Sequence, residues 1–574
     1  MNRRNFIEQV SVISGAVFAA PLMTFSNYTY ASAVSQASFY KSSGRSADVV
    51  IAGGGLGGCA AALGALRNHR TVILTEETDW IGGQLTQQGV PPDEHPWIET
   101  HGATQLYRDF RTGVRSYYKQ HYPLTEAART QSHLNPGDGV VSKLCHEPRV
   151  ALAVLQGMLA PYLSSGQLTL LLEHKITGAD VSGDRVRALK AVSQRTGHEL
   201  TLSAPYFVDA TELGDLLPLT KTEFVTGAES RRETRELHAP ETADPNNCQA
   251  FTMCFAMDYV SGANHVIDKP GEYGFWRDYV PGVTPAWSGK LLSLAYSNPK
   301  TLAPKQLGFH PEGVSMGDTL NLWNYRRIIS KANFKPGTYA GDISNVNWPQ
   351  NDYTLGNLIG ASDTDFKKHV GRAKQLSLSL LYWLQTEAPR PDGGQGWPGL
   401  RLRGDIMGTE DGLAKFPYIR ESRRIKSVFT VLEEHVGADN RALVMGAKTG
   451  NTAADFYDSV GVGYYHIDLH PSTAGNNYID FGSLPFQIPL GALLPQRIEN
   501  LLPACKNIGT THITNGCYRL HPVEWSIGET VGMLVSYALA KKTIPRAVRE
   551  RKPLLDEFQK LVRAQGIETH WPKQ

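Results

Sequence analysis

The sequence predicts an α/β protein whose parallel sheet is assembled from separate stretches of the chain, together with an inserted mixed α+β region. An apolar run at residues 47–52 leads directly into a glycine-rich stretch at 53–58. After a segment of small residues typical of a closely packed helix, a second apolar run follows at 71–75. A strand-like run at 500–506 and an apolar helix after it come much later in the chain. We therefore expect segments hundreds of residues apart to meet in one domain.

The length and composition are those of a globular protein with more than one domain. A chain of 574 residues exceeds what a single hydrophobic core usually supports. Hydrophobic residues make up 41%, charged residues 20%, and the net charge is +2, so the sequence has neither a strongly basic face nor an acidic tail. We therefore expect no nucleic-acid partner.

The glycines at 53–58 have the spacing of a Rossmann-type dinucleotide-binding turn. Gly53 allows the tight turn, Gly55 lets the backbone approach a pyrophosphate, and Gly58 lets the helix pack closely on the strand. The phosphate is expected at the helix N-terminus, where free N–H groups and the helix dipole favour negative charge. Glu76 ends the second strand about 20 residues past the glycines, where a carboxylate can accept hydrogen bonds from ribose hydroxyls. NAD and FAD share this pattern.

Two further motifs resemble those of glutathione-reductase-like flavoproteins and favour FAD. Residues 77–85 resemble the segment in which a Gly-Gly turn passes beside the flavin, and this implies that Gly83 and Gln84 contact the cofactor. Residues 206–215 resemble the Asp-Ala-Thr-Gly-x-Gly-Asp turn that closes the flavin domain, which implies a cofactor role for Asp209. Glu212 stands where that turn usually has glycine, so the turn geometry is open.

The end of the chain resembles the returning part of the same flavin domain. Residues 525–532 are predicted to open a long apolar helix to residue 540. In the resembling flavoproteins this helix directs its N-terminus at the flavin ring or ribityl chain, which implies cofactor contacts for Gly528 and Glu529. A plain core helix is the alternative.

From about residue 45 to 545 the chain resembles the secreted bacterial FAD-dependent oxidoreductase family, distantly related to the flavin subunit of heterodisulfide reductase. Further matching stretches are residues 345–352, 417–425 and 511–519. The resemblance implies an FAD-dependent dehydrogenase or oxidase that transfers hydride from a sugar, amine or hydroxy acid to flavin N5. Electrons would pass to oxygen or to an external acceptor, with a redox protein as one candidate partner. A flavin-dependent lyase and a non-enzymatic electron carrier are the alternatives.

These motifs divide the chain into six predicted segments. They are an export signal at 1–33, a linker at 34–46, the first part of the FAD-binding domain at 47–217, a substrate domain at 218–484, the returning part of the FAD-binding domain at 485–545, and a helical tail at 546–574.

The first residues have the layout of a cleaved export signal. Arg3 and Arg4 precede Phe6 and Ile7, an apolar run follows from residue 10 to 23, and small residues stand at 31–33. The paired arginines resemble the twin-arginine motif, whose machinery exports folded proteins. We therefore expect a periplasmic or secreted protein; an ordinary secretory signal or an uncleaved anchor is the alternative. No later run reaches the ~20 apolar residues of a membrane helix, so we expect no stable membrane span after cleavage.

Three candidate catalytic residues lie between the last predicted strand and the last predicted helix, and the fourth, Arg420, lies in the predicted substrate domain. His512 and His521 can act as acid or base near neutral pH. Arg420 and Arg519 can clamp a carboxylate or balance the charge of a reduced flavin. Histidines that only bond a backbone carbonyl and arginines in structural ion pairs are the alternatives.

The sequence favours no metal site. Six cysteines show no Cys-x-x-Cys pair, which argues against zinc or an iron–sulfur cluster. His466, Asp468 and His470 alternate on one predicted strand face, but no further ligand type clusters with them. Whether Cys248 and Cys254 form a disulfide is left open by their spacing.

Overall fold

The computed structural model describes residues 43–446 and 451–572. The predicted export signal and most of the predicted linker lie outside these residues. The end of that linker differs from the prediction, because Ser43–Ser46 forms a strand that pairs in parallel with Glu199–Ser203.

A five-stranded parallel sheet forms the centre of the part of the protein that contains the glycine turn, which we call the first part. This sheet confirms the predicted α/β class. Its strands, in spatial order, are Leu501–Pro503, Tyr206–Asp209, Val49–Ala52, Val72–Thr75 and Leu168–Leu171. Val49 pairs with Val72 on one side and with Tyr206 on the other, and Leu501 pairs with Phe207. The strand nearest the C-terminus thus completes a sheet begun by residue 49, as the discontinuous assembly predicted.

Two helices pack against each other through glycines beside this sheet. The glycine-turn helix is Leu56–Leu66, and the returning helix is His521–Lys541, which begins earlier than the predicted start at Trp525. A Cβ at Gly528 would lie 2.0 Å from the carbonyl oxygen of Gly57, and one at Gly532 would lie 2.1 Å from that of Ala61. Only glycine permits so close a contact. The packing thus brings together a helix from the N-terminal part of the sequence and a helix from its C-terminal part.

The other elements of the first part surround the sheet. The predicted hairpin is present as His174–Ser182 and Arg185–Ser193, which pair with Glu199–Ser203 in a second sheet. The helices are Gln105–His121, Glu126–Thr130, Pro148–Ser164 and Leu216–Leu219, and at the C-terminal end Pro545–Glu550 and Lys552–Ala564. No helix in the described ranges is both long and apolar enough to cross a membrane.

The inserted region has its own core and is built from short antiparallel pieces. Its four-stranded sheet has the order Arg327–Ile329, Ile343–Val346, Phe255–Tyr259 and Leu400–Leu402, and the long helix Asp363–Thr386 packs nearby. Two-stranded pairs join Phe224–Val225 to Arg424–Ile425, Phe251–Thr252 to Asp352–Tyr353, Ala295–Ser297 to Pro304–Gln306, Ser459–Gly463 to Phe486–Pro489, and Ile467–Leu469 to Ile479–Phe481. Short helices are Arg231–Thr234, Tyr273–Asp278, Leu322–Tyr325, Gly404–Met407, Glu433–Val436, Ala438–Met445 and His512–Tyr518.

Candidate active site

The predicted glycine turn joins the first strand to the glycine-turn helix. Gly53 has φ +95°, and a Cβ there would lie 2.3 Å from the carbonyl oxygen of Ala210. A Cβ at Gly58 would lie 2.0 Å from the carbonyl oxygen of Gly53, so the helix sits against its own turn. Gly55 precedes the first residue of the helix. The turn therefore carries no side chain at these positions and lies close to the neighbouring backbone.

Glu76 lies beside this turn, as expected from its position after the second strand. One carboxylate oxygen accepts from the backbone N–H of Gly54 at 3.0 Å, and the other from that of Thr78 at 2.8 Å. Burial raises the pKa of Glu76 to about 8. Glu76 and the glycines Gly53 and Gly55 line a cleft, which we call the first cleft. Glu76 thus both holds the turn and borders the cleft.

An ion cluster lies at the N-terminus of the glycine-turn helix and was not foreseen from the sequence. The backbone N–H of Gly57 donates to Oε1 of Glu524 at 3.0 Å. Nζ of Lys506 donates to the carboxylate of Glu212 and lies 3.9 Å from Oε2 of Glu524. Glu212, which replaces the usual glycine of the closing turn, is thereby brought to the predicted phosphate position.

Within the described ranges, the one triad of metal-ligand atoms that lie close enough to share an ion belongs to Glu212, Cys505 and Glu524. The ammonium group of Lys506 donates to the Cys505 sulfur at 3.3 Å and to Glu212. Because Lys506 already supplies the positive charge, the cluster is an ion pair network rather than a cation site.

Several buried polar atoms around the ion cluster have no hydrogen-bond partner. They are Oε1 of Glu212, Oε1 of Gln84, and both amide atoms of Gln88 and of Asn345. Leaving such groups unpaired costs about 1–3 kcal/mol each. Unpaired atoms next to the glycine turn are what a site for a large polar cofactor provides, so the residues fit a bound dinucleotide.

The predicted Gly-Gly turn after the second strand is also present. Gly82 and Gly83 have φ of +110° and +55°. Nε2 of Gln84 donates to the carbonyl oxygen of Arg519 at 2.9 Å and to Oε2 of Glu524 at 2.5 Å. The turn is thus held against the loop that precedes the returning helix.

Three other predicted cofactor residues have protein partners. The carboxylate of Asp209 accepts from the N–H and hydroxyl of Thr211 and from the N–H of Leu216, and burial raises its pKa to about 7. Gly528 contacts the glycine-turn helix, and Glu529 accepts from Nε1 of Trp525 at 3.1 Å. Because the helix starts at His521, Gly528 and Glu529 lie in its interior and not at its N-terminus.

A second cavity lies between the inserted region and the segments that carry Asp93 and Arg519. Two of the predicted catalytic residues, Arg420 and Arg519, line it together with Arg326 and Asp93. The sequence predicts that Arg420 and Arg519 clamp a carboxylate or balance the charge of a reduced flavin, and both residues line this cavity.

Each arginine of the second cavity has an aspartate partner. Arg420 lies 3.0 Å from Asp352, Arg519 lies 3.0 Å from Asp468, and Arg326 lies 3.1 Å from Asp93. All three arginines are buried. Although burial alone would raise the pKa of Asp352, the charge of Arg420 and the hydrogen bonds from His470 and Thr252 outweigh it and lower that pKa. The Arg420–Asp352 pair is therefore held in its charged form.

His470 joins two of these pairs. Its Nδ1 lies 2.5 Å from Oδ2 of Asp352, and its Nε2 lies 3.5 Å from Oδ2 of Asp468. The sequence pattern of His466, Asp468 and His470 fits either metal ligands or a solvated strand, with the solvated strand favoured, and it gives Asp352 no role. The available signal was the alternation of His466, Asp468 and His470 along the strand Ile467–Leu469 and its two flanking residues. The carboxylate that pairs with His470 is that of Asp352, more than a hundred residues away in the chain.

The two predicted catalytic histidines lie outside the residues that line the cleft and the cavity. Nδ1 of His512 lies 2.7 Å from Oε1 of Glu421, which also bonds Arg424 at 2.8 Å. The N–H of Asp93 donates to Nδ1 of His521 at 3.0 Å, and burial lowers the pKa of His521 to about 3. A neutral His521 of this kind carries its proton on Nε2, which has no partner. The catalytic role of both histidines stays a prediction.

Two segments run from the first cleft to the second cavity. Gln87 lines the cleft, and Asp93, on the same segment, lines the cavity. Likewise Phe416 lines the cleft, while Tyr418 and Arg420 line the cavity. Gln88, on the first of these segments, and Asn345 both have buried amide atoms without a hydrogen-bond partner. Cleft and cavity are thus neighbouring parts of one region.

All six cysteines are buried and free, so Cys248 and Cys254 do not form a disulfide.

Comparison with solved structures gives only distant likenesses. OxyS anhydrotetracycline hydroxylase from Streptomyces rimosus is 11% identical, over 91% of this chain and 66% of that chain, with a TM-score of 0.33. Quinol fumarate reductase from E. coli is 12% identical over 91% and 74%, with a TM-score of 0.31. A geranylgeranyl bacteriochlorophyll reductase-like protein from Thermoplasma acidophilum is 10% identical over 92% and 85%, with a TM-score of 0.29. The chain spans only 24% of the length of L-proline dehydrogenase from P. horikoshii and 35% of that of the flavin-dependent monooxygenase PieE.

A search of curated proteins finds no match. The sequence pattern of the family described as FAD dependent oxidoreductase, in contrast, matches residues 48–562, which include the glycine turn, the inserted region and the returning helix. The match covers most of the chain, and the residues of the first cleft fit the dinucleotide. The chain therefore belongs to the FAD dependent oxidoreductase family.

Proposed function

We propose that this protein oxidises a small polar substrate bound in the second cavity. The observation that carries the proposal is the junction of cleft and cavity along residues 87–93 and 416–420, because it sets the arginine-lined cavity beside the cofactor region. When bound, FAD supplies a two-electron acceptor that carries the redox chemistry.

The residues of the chain supply binding and orientation. The helix N-terminus after Gly55 and the carboxylate of Glu76 are suited to the pyrophosphate and the ribose. Gln84 fixes the loop of Arg519, and that loop forms one wall of the cavity. Arg420 and Arg519 are rigid donors, because each is buried and tied to an aspartate.

A panel of sugars, amines and hydroxy acids, incubated with the protein without oxygen, tests this function. We expect one member to bleach the visible absorbance of the flavin, and reoxidation by oxygen or by a redox protein to identify the acceptor. Turnover without bleaching would instead support a lyase. Reduction only by protein donors would support an electron carrier.

We further propose that the protein is exported by the twin-arginine machinery and works in the periplasm or outside the cell. The support is the pair Arg3 and Arg4 before an apolar run. Replacing both by lysine should keep the full-length protein in the cytoplasm on fractionation. Unchanged export, or export that depends on the general secretory route, would contradict this proposal.

A further inference from the structure

The charges around the second cavity are balanced. Besides the three arginine–aspartate pairs, Nδ1 of His466 lies 2.6 Å from Oδ1 of Asp480. Asp480 and His466 both line the cavity. Each cation thus has its own carboxylate, and no net charge is left for an anionic or cationic ligand.

A charged ligand would have to break one of these pairs. Removing one partner from a buried ion pair costs about 3–5 kcal/mol, since the other charge stays buried and uncompensated. A carboxylate that binds Arg519, for example, competes with Asp468 at 3.0 Å. A neutral ligand leaves the pairs intact.

Aromatic rings provide the apolar part of the wall. Six of them line the cavity: Tyr296, Tyr325, Trp348, Tyr418, Tyr465 and Tyr478. Their flat faces suit the C–H faces of a sugar ring, and tyrosine hydroxyls suit its rim. Aromatic faces with hydroxyl groups at their edges, together with charge balance, are the chemistry of a carbohydrate site.

His470 is the group placed to take a proton from such a ligand. Its Nδ1 is bonded to Asp352, which orients the ring, and its Nε2, which lies 3.5 Å from Oδ2 of Asp468, is the ring atom left to accept a proton. Its side chain is 18% exposed, whereas that of His512 is 5% exposed. His470 therefore combines an orienting carboxylate with access to the cavity, whereas His512 has the carboxylate but does not line the cavity.

We propose that the second cavity binds a neutral carbohydrate and that His470 accepts the proton of the hydroxyl group being oxidised. Oxidation of the alcohol to a carbonyl breaks its O–H and C–H bonds and forms the C=O bond. The O–H proton goes to Nε2 of His470, and the C–H hydrogen leaves with its electron pair to the bound FAD. This proposal rests on the proposed function and adds the class of substrate and the identity of the base.

The test of the ligand class uses matched sets that differ only in charge. Neutral hexoses, pentoses and disaccharides are compared with the corresponding uronic acids and amino sugars, by saturation-transfer NMR with the full holoprotein without oxygen. We expect at least one neutral member to bind about tenfold more tightly than both of its charged counterparts. Equal or tighter binding of the charged members, or no binding by any neutral member, would overturn the carbohydrate proposal.

The role of His470 is tested with His470→Gln. We expect binding of the neutral sugar to change less than about threefold, while the rate of flavin bleaching falls by about 10²–10⁴. His198→Gln, an exposed histidine of the second sheet's loop, is the matched control and should change neither value. A normal bleaching rate in His470→Gln would exclude this base. Bleaching by a charged substrate would refute the carbohydrate proposal but leave the proposed function standing, whereas no bleaching by any class would refute the function itself.

Discussion

Buried carboxylates in two regions of the protein have pKa values shifted in opposite directions. One region is the flavin part, which contains the five-stranded sheet, and the other is the inserted region. In the flavin part, burial raises the pKa of Glu76 to about 8 and those of Asp209 and Glu529 to about 7. At the inserted region, burial acts in the same direction on Glu421, but His512 and Arg424 outweigh it and lower the pKa to about 2.

The difference follows from the partners. Glu76 and Asp209 bond mainly to backbone N–H and hydroxyl groups of their own turns, which supply partial charges only. Glu421 and Asp352 face whole positive charges. Buried cations thus lie beside Glu421 and Asp352 and not beside Glu76 and Asp209. Backbone and hydroxyl donors support the first two carboxylates, and ion pairs support the other two.

Breaking an ion pair should have the largest effect. Arg420→Met leaves Asp352 buried without its main partner, and we expect a loss of about 3–5 kcal/mol in the free energy of unfolding. Denaturant unfolding measures it. Lys290→Met, which removes a pair at 2.6 Å between exposed side chains, is the control and should cost at most about 1 kcal/mol. Similar losses in both variants would mean that Asp352 is hydrated without Arg420.

Adding a methyl group to the flavin part should have a smaller effect. A Cβ at Gly57 would lie 1.7 Å from the carbonyl oxygen of Ala504, so Gly57→Ala should cost about 1–3 kcal/mol and lower the FAD content per chain. Gly157→Ala is the control, because Gly157 lies within Pro148–Ser164 with nothing near its Cβ position. Since alanine favours helix, it should stabilise by up to about 1 kcal/mol. If Gly57→Ala unfolds like the wild type and retains FAD, the close helix packing is not required.

The smallest expected effect is on the pH dependence of stability, which should differ between the two regions. The folded-state pKa of Glu76 lies above its unfolded value of 4.5, so its contribution is present below pH 4.5 and is lost as pH rises towards about 8. The folded-state pKa of Glu421 lies below 4.5, so its contribution is present above that pH and is lost as pH falls towards about 2.

Glu76→Gln should therefore flatten the decline in melting temperature of the FAD-free protein above pH 4.5, and Glu421→Gln the decline below it. Thermal melts between about pH 3 and about pH 8.5 measure both. A steeper alkaline decline in Glu76→Gln would show that this carboxylate stabilises the fold in its charged form.

Much of the flavin part could be predicted because its signals are local. The strand before Gly53 and the acid at Glu76 lie within one short unit, and each residue type has a steric or electrostatic reason there. The role of Gly528 was harder to assign. A glycine in an apolar helix fits both a helix N-terminus at a ligand and a helix–helix contact, and the structure shows the contact with Gly57.

The ion cluster shows why the rest escaped prediction. Lys506, Glu212 and Glu524 meet only because the returning strand and helix close on the glycine turn. Charged residues are usually exposed to solvent, so a sequence alone predicts exposure for them. That these three are buried follows only from the fold, which excludes water around them.

The sequence by itself determined the dinucleotide turn, the parallel sheet built from both ends of the chain, and the glycines that allow close backbone contact, since these depend on local sterics and hydrophobic patterning. Only the tertiary structure decided which charges meet. The pairing of Arg420 with Asp352 and the position of His470 between two aspartates depend on contacts between distant segments, whose energies no local pattern encodes.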